Sequence, residues 1–261
     1  MEREEILKIF HDPEERLLAA RILDKIEQVK FNGRPQLTDF LDPAQQEAAN
    51  LIARQEERVS YILAGGYRQA ERKRLALMPK FYHTELLDPE IRFLAVEGDS
   101  RGTQVSHRDL LGSILGLGIK REKVGDIIMT ATGGQVAVTG EILDFVKDNL
   151  KQVHRFPVQV REIDPEQLAV EPERTKEIRA SVASLRLDAV ASSGYGTSRT
   201  QMVREIKAGH VKVNWRVVDD ASSAVKAGDV LSMRGRGRLV IEEVRGETKK
   251  GRTSLLLRRY Y

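Results

Sequence analysis

The 261-residue sequence predicts an α+β protein built in three successive parts. Three observations carry that prediction. Two helix-start signals, each followed by an apolar stripe at helical spacing, occupy the first part. A β-α-β-β-α-β succession fills the middle. Two short helices followed by short strands, dense in arginine, make the last part. The composition is 41% hydrophobic and 31% charged, enough to bury a core. No segment approaches the ~18 unbroken apolar residues of a membrane helix. The opening MEREEILKIF lacks the apolar stretch of a secretory signal. The absence of cysteine excludes disulfides, thiolate nucleophiles and cysteine metal sites. The expected compartment is the cytoplasm, or the plastid stroma in a plant or alga.

Residues 1–83 read as a helical N-terminal domain. Asp12-Pro13-Glu14-Glu15 is a helix start, with Asp as N-cap, Pro at the first helical position and Glu at the third. Leu17, Leu18, Ile22, Ile26 and Val29 follow at helical spacing. Asp42-Pro43-Ala44-Gln45 repeats the signal, and Ala48, Leu51, Ile52 and Val59 continue a second stripe. After Gly65-Gly66 comes a third, basic stretch from Tyr67 to Arg74, and two or three packed helices would bury these stripes.

Residues 84–164 read as the middle domain. Ile91–Glu97 is a strand, Gly98–Thr103 a loop, and Ser106-His107-Arg108-Asp109 caps a helix that ends at Gly116 and Gly118. Strands over Val124–Ala131 and Gln135–Val138 flank a turn at Gly133-Gly134. A helix over Thr139–Leu150 and a strand over Pro157–Ile163 complete the domain. This order is that of the ferredoxin-like split βαβ unit, whose sheet has one face free for a ligand. An RNA-recognition sheet would stack bases on exposed aromatics of its central strands. Gln135–Val138 has none and Phe93 stands alone, so that mode is not expected.

Residues 165–177, from Pro165 through Pro172 and rich in glutamate, read as an acidic linker. Residues 178–261 form the last domain. A short helix over Ser184–Ser192, a tight turn at Ser193-Gly194-Tyr195-Gly196, and a capping box of Ser198 with Gln201 precede a helix ending at Gly209. Strands follow at Val211–Asn214, Val230–Met233, Leu239–Ile241 and Ser254–Leu257. The charge is uneven: residues 176–261 hold 18 basic and 9 acidic side chains, whereas residues 1–175 hold 25 and 30. A mildly acidic body with a basic last third points to a polyanion such as RNA.

Arg186-Leu187-Asp188, Gly194, Ser198-Arg199, Ile206, Gly209, Val211-Lys212-Val213-Asn214, Val225, Gly228-Asp229 and Arg234-Gly235-Arg236-Gly237 occur in one ordered set. The set resembles the alpha-L RNA-binding motif, first described in the small-subunit ribosomal protein called S four. The resemblance covers about 60 residues, 184–244. Trp215 departs from it, because the motif usually has glycine after the asparagine; it is either a stacking platform for a base or a packed hydrophobic residue. The RNA-binding candidates are Arg186, Ser198, Arg199, Arg204, Lys207, Lys212, Asn214, Arg234, Arg236 and Arg238. Arginine forks bind phosphate in bidentate fashion, a capped helix start adds backbone donors, and glycines between arginines let a backbone approach a groove. Asp188 reads as a partner for Arg186 or Arg199 rather than as an RNA contact.

The segment from Ser106 to Ile127 is similar to the signature of the YlmH family, and Gly65-Gly66-Tyr67 with Ala70 to Arg74 resembles its N-terminal signature. The same layout resembles a cyanobacterial and plastid branch associated with photosystem II. The family resemblance implies binding to the large ribosomal subunit carrying peptidyl-tRNA, in the rescue of stalled nascent chains. It implies contact with rRNA through the last domain and with tRNA nearby, without catalysis. His107, Arg108, Lys120, Arg121 and Lys123 are candidates for a second RNA or ribosome contact. His11, His83, His154 and His210 lack metal-ligand spacing, and no P-loop, G-x-S-x-G or dinucleotide fingerprint occurs. No cofactor, metal or membrane insertion is expected. Two rival readings are an RNA-modifying enzyme of pseudouridine synthase or rRNA methyltransferase type, and a photosystem II assembly factor working through protein contacts.

Overall fold

A computed structural model describes residues 3–98, 105–172, 174–247 and 251–261. The loop expected over Gly98–Thr103 lies, beyond Gly98, outside the described residues. The chain divides into two compact units, Met1–Val170 and Glu171–Tyr261. No helix among the described residues is long and apolar enough to cross a membrane.

The first unit opens with α1 (Arg3–Ile9) and α2 (Pro13–Asn32). The Asp12 carboxylate accepts the N–H groups of Glu14 and Glu15 at 2.8 and 3.0 Å, and Gly33 ends α2 in the left-handed region. Then come β1 (Gln36–Leu41), α3 (Pro43–Ala53), β2 (Val59–Ala64) and β3 (Lys73–Pro79). Asp42 and Gln45 form a reciprocal capping box at the start of α3. The three strands make an antiparallel sheet in the order β1–β3–β2. Ile22, Ile26, Val29, Ala49 and Ile52 from the helices close on Leu75 and Leu77 of β3.

The N-terminal helices therefore pack on a sheet, and two element assignments are corrected. Val59 does not continue α3; the polar run Arg54–Arg58 ends the helix, and Val59 starts β2. The basic stretch 67–74 is not a third helix. It turns through Tyr67–Arg72 and enters β3 at Lys73. The physical reason is Arg74, which is buried and donates to the carbonyl oxygens of Thr38, Pro89 and Glu90 at 2.7, 2.8 and 2.9 Å. A buried guanidinium must meet acceptors, and these tertiary partners override local propensity.

The middle of this unit holds β4 (Ile91–Gly98), α4 (His107–Gly116), β5 (Val124–Thr130), β6 (Gly133–Thr139), α5 (Leu143–Asn149), β7 (Gln152–Val153) and β8 (Phe156–Ile163). Their antiparallel sheet runs β5–β6–β4–β8–β7. β6 lies between β4 and β5, an arrangement compatible with a split βαβ unit. Gly133 and Gly134 are not the turn but the first residues of β6. A Cβ on Gly133 would sit 2.1 Å from the Val96 carbonyl oxygen, so the close pairing with β4 needs glycine there. α4 and α5 cover one sheet face through Leu110, Ile114 and Val146 on Leu94, Val136 and Val138.

The other sheet face, expected to be free, is covered. Phe93, Ala95, Ala137 and Ile163 on that face pack with Phe40, Ala64, Tyr67 and Leu168. Close approach is built in: a Cβ on Gly66 would lie 2.4 Å from the Phe93 ring, and one on Gly125 would lie 2.8 Å from the Phe40 ring. The Asp126 carboxylate gathers the turn that carries Gly66. It accepts the Tyr67 hydroxyl at 2.8 Å and the N–H groups of Glu71 and Arg72 at 2.6 and 3.0 Å. Arg72 in turn donates to the Val124 and Phe40 carbonyl oxygens at 3.1 and 3.0 Å. The start of the acidic linker is also docked, because Gln135 exchanges hydrogen bonds with the Gln167 carbonyl (2.9 Å) and the Ala169 N–H (2.6 Å).

The second unit contains β9 (Thr175–Val182), α6 (Leu187–Tyr195), α7 (Arg199–Lys207), β10 (Val211–Val213), β11 (Arg216–Val217), β12 (Val230–Met233), β13 (Gly237–Glu247) and β14 (Thr253–Tyr260). The sheet order is β11–β10–β12–β13–β14–β9. Residues 175–177, read as linker, are the start of β9 and pair with β14 across Thr175–Tyr260. The turn expected at 193–196 is also corrected. α6 continues through Tyr195 and ends at Gly196 in the left-handed region. Gly194 faces Leu239, where a Cβ would come within 2.1 Å, and the buried Tyr195 hydroxyl reaches the Leu231 and Gly237 carbonyls at 3.0 and 3.1 Å. Leu187, Val190, Met202 and Ile206 of the helices close on Leu231, Leu239 and Leu257 of the sheet.

Asp126→Ala removes the acceptor of three hydrogen bonds that tie the 67–72 turn to β5. The expected loss is about 2–4 kcal/mol of stability, since bonds to a charged acceptor contribute roughly 1.5–3 kcal/mol each and are partly replaced by water. Urea denaturation of the wild type and the variant, followed by circular dichroism, measures it.

Candidate nucleic-acid interface

The second unit brings Arg186 and Arg199 together around one carboxylate. Arg186 is the residue before α6 and Arg199 is the first residue of α7, so two helix starts converge. Arg186 donates through Nε and Nη2 to Asp188 at 3.2 and 3.4 Å; Arg199 donates through the same two nitrogens at 2.9 and 3.1 Å. The Asp188 side chain is 4% exposed, against 41% and 53% for the two arginines. A buried acid thus holds two guanidinium groups that remain open to solvent. Burial alone would raise the Asp188 pKa, but the hydrogen bonds from Arg186 and Arg199 hold it below the ordinary carboxylate value. Asp188 is the partner of both arginines.

The remaining candidates fall into separate groups. Ser198 caps α7 by accepting the Gln201 N–H at 3.2 Å. Gln201 does not reach back to complete a capping box; its side chain donates to Glu205 at 2.8 Å. Arg204 and Lys207 are exposed one turn apart on α7. Lys212 lies opposite Ser232, Ser232 opposite Arg238, and Arg238 opposite Tyr260, so Lys212 and Arg238 share one row on one sheet face. Arg238 sits over the Tyr260 ring at 5.5 Å. Asn214, a candidate RNA contact, is an internal tie. Its side-chain N–H donates to Asp229 at 3.0 Å, its side-chain oxygen accepts the Val230 N–H at 2.9 Å, and its backbone N–H donates to the Val230 carbonyl at 2.8 Å.

Arg234 and Arg236 are exposed on the β12–β13 turn. Its glycines serve the turn. Gly235 and Gly237 have φ of 74° and 77°, and a Cβ on Gly237 would lie 2.0 Å from the Tyr260 carbonyl oxygen. Sequence reading missed Arg259 beside this turn. It donates to the Arg236 carbonyl at 3.2 Å and lies between the Tyr195 and Tyr261 rings, 5.3 and 4.7 Å from their centroids. No spacing rule connects residues 195, 236 and 259, so only the fold reveals the cluster.

The hairpin turn between β10 and β11 is unusual. Asn214 and Trp215 have φ of 48° and 63°, so both central residues are left-handed, as in a type I′ turn. Asparagine tolerates this region, whereas a residue such as tryptophan is held there at a cost of roughly 1–2 kcal/mol.

In the first unit the second group of candidates divides by burial and partners. His107, Arg108 and Lys120 are exposed. Arg121 is half-buried and donates to the Val124 and Gly125 carbonyls. Lys123 is engaged by Asp39 at 2.6 Å and by Glu141. Burial opposes the Lys123 charge, but its hydrogen bonds to Asp39 and Glu141 raise its pKa above the ordinary value. Arg121 and Lys123 are therefore engaged within this unit, Arg121 by backbone carbonyls and Lys123 by carboxylates. Asp109 does not orient His107; it accepts the Ser106 hydroxyl and N–H at 2.6 and 3.1 Å as half of a capping box.

Three family models match the chain in sequence order. The model for the N-terminal part of YlmH covers residues 14–82, that for the RNA-binding domain in YlmH covers 85–167, and that for the S4 domain covers 185–231. Over 238 residues the chain is 40% identical to the ribosome-associated protein quality control protein P2 of Bacillus subtilis (strain 168), spanning 91% of this chain and 92% of that protein. A 65-residue stretch is 42% identical to the small ribosomal subunit protein uS4 of Acidithiobacillus ferrooxidans, covering 24% of this chain and 31% of that protein. Among solved structures, the cell division protein ylmH from Streptococcus pneumoniae aligns with a TM-score of 0.52 at 25% identity, over 61% of this chain and 97% of that one.

The depressed pKa of Asp188 fixes the sign of a pH effect. Its contribution to stability is fully present above the unfolded carboxylate value of about 3.9 and is lost as pH falls through the lower folded value. Asp188→Asn is expected to be less stable at neutral pH by about 1–3 kcal/mol. Its disadvantage should shrink on acidification, as the wild type loses the ion pairs. Urea midpoints of both proteins from neutral pH to about pH 3 read this difference. Parallel curves would remove Asp188 from the account.

Proposed function

The chain belongs to the YlmH family, and from that membership we propose that it is an RNA-binding factor of the ribosome. It engages structured RNA, either large-subunit rRNA, tRNA or both, in ribosome-associated quality control, and it acts by binding rather than by catalysis. The observation that carries this reading is the Arg186–Asp188–Arg199 clasp, on a unit whose residues 176–261 hold 18 basic and 9 acidic side chains. Each arginine turns Nε and Nη2 to Asp188, while the two arginine side chains stay 41% and 53% exposed. Guanidinium groups fixed in this way lose less rotamer entropy when they meet a phosphate. The name of the Bacillus subtilis relative supplies the ribosomal setting, and the S4 domain supplies the kind of partner. A cytoplasmic location follows from that setting.

The covered middle sheet supports the same division of labour. Phe93 is 3% exposed, so base stacking on that face would require the unit to open. In the middle domain, contact with a partner then falls to the exposed His107, Arg108 and Lys120. The rival RNA-modifying reading needs an aspartate nucleophile or a cofactor loop, and Asp109, in the segment beside His107, is engaged by Ser106 in the cap of α4.

Co-sedimentation with ribosomal subunits on a sucrose gradient, at low and moderate salt, is the direct test. The expected result is a peak on the large subunit that survives moderate salt; protein remaining at the top of the gradient would contradict the proposal. Arg186→Ala and Arg199→Ala should each weaken RNA binding and reduce the slope of log affinity against log salt by about one phosphate contact. Either single variant leaves Asp188 one partner. The double variant leaves a buried unpaired charge and is expected to lose roughly 3–5 kcal/mol of stability, so the single variants are the informative ones.

A further inference from the structure

Trp215 is the only tryptophan in the chain. It stands in a left-handed backbone position with φ of 63°, where the hairpin between β10 and β11 would accept glycine without strain. The turn does not need the indole to close. Asn214 already ties it to Val230 and Asp229 through three hydrogen bonds. Nor does the indole complete the core. Val213 and Val218, on either side of the turn, pack against the core cluster, and among the described residues in that cluster Trp215 is absent. Trp215 is half-buried at the hairpin tip, next to Arg216, and Val217 beside it is 58% exposed. Lys212 is exposed directly opposite Val217 on the neighbouring strand.

A strained position that keeps a large aromatic outside the core, beside cationic side chains, has a physical use. Strain of this kind persists where the surroundings fix it, and it gathers at binding sites. An indole face stacks on a nucleobase, and a neighbouring lysine meets the phosphate that follows. A base inside an A-form helix is already stacked on both faces, so only an unpaired base in a loop, bulge or single strand can be received. We propose that Trp215 is a stacking platform for an unpaired RNA base, with Lys212 beside it as the phosphate contact. This deepens the RNA-binding reading and rests on it. It gives the unit a preference for RNA in which a duplex adjoins a single-stranded nucleotide.

The sole tryptophan makes the test direct. The full chain is titrated with an RNA stem-loop and, separately, with the same stem as a blunt duplex, while indole emission is followed. Anisotropy of the labelled RNAs gives affinities for the wild type, Trp215→Phe and Trp215→Gly. The stem-loop should quench the emission and the duplex should leave it unchanged. Trp215→Gly should lose about tenfold in affinity for the stem-loop and little for the duplex, with Trp215→Phe in between. The melting temperature of Trp215→Gly should equal or exceed that of the wild type, because glycine relieves the turn. Unchanged emission together with equal stem-loop affinity in Trp215→Gly overturns the platform while leaving RNA binding intact. A lower melting temperature with equal losses on both RNAs also overturns it, and assigns the indole to packing. No binding of either RNA by the wild type is a failure of the RNA-binding reading itself.

Discussion

The first unit is organised around one carboxylate. Asp126 on β5 accepts a hydroxyl and two backbone N–H groups from the 67–72 turn, and that turn delivers Gly66 and Tyr67 to the sheet of β4, β6 and β8. Without an acceptor there, the hydroxyl of Tyr67 and two peptide donors would lose the partner that fixes the turn beside an apolar layer and would have to find water instead. With it, Phe40, Tyr67 and Phe93 form one core, and a sheet face that could have served a ligand becomes interior. Gly66 with the 67–72 turn on one side, and Gly125 with Asp126 on the other, thus form a single junction.

The second unit uses the same device for a different end. Asp188 is as enclosed as an apolar residue, yet its two partners are open to solvent. Enclosing the acid and exposing the bases produces a fixed pair of forks instead of two mobile side chains. The contrast with Arg74, Arg121 and Lys123 is instructive. These cations meet carbonyl oxygens or carboxylates inside the first unit. Of the cations that sequence reading sent toward a partner, the fold leaves some outside and draws others in, and the difference lies in what faces each of them.

Much of this was legible in the sequence where the signal is local. Asp12 before Pro13, Asp42 with Gln45, and Ser106 with Asp109 cap helices as their spacing predicts, because a cap is made by residues three apart. The strand and helix order of the middle part is legible for the same reason. The sheet of β1, β2 and β3 was not, since the basic run 67–74 resembles a solvated helix until Arg74 is seen among distant carbonyls. β9 was hidden because its sequence is largely charged and exposed, and its ties, pairing with β14 and packing of Ile178, Ala180 and Val182 on the core, are made with residues distant in sequence. At the candidate site, Arg186 with Arg199 could be read from the motif. The closure of Asn214 onto Asp229, and the meeting of Tyr195, Arg236 and Arg259, depend on strands far apart in sequence.

The pairing of β9 with β14 also sets an order of events in time. β9 is an edge strand whose neighbour in the sheet is β14, and Val182 and Thr253, at one end of the ladder, are its closest partners along the chain. While the chain is being synthesised, β9 emerges long before the segment that will hold it. Until then it offers a row of unmet peptide groups to whatever lies nearby. Its charged residues Lys176, Glu177 and Arg179 suit that wait, since they discourage pairing with a foreign strand. The second unit can complete its sheet only after β14 has been made, so a chain interrupted earlier would lack the full sheet on which its helices rest.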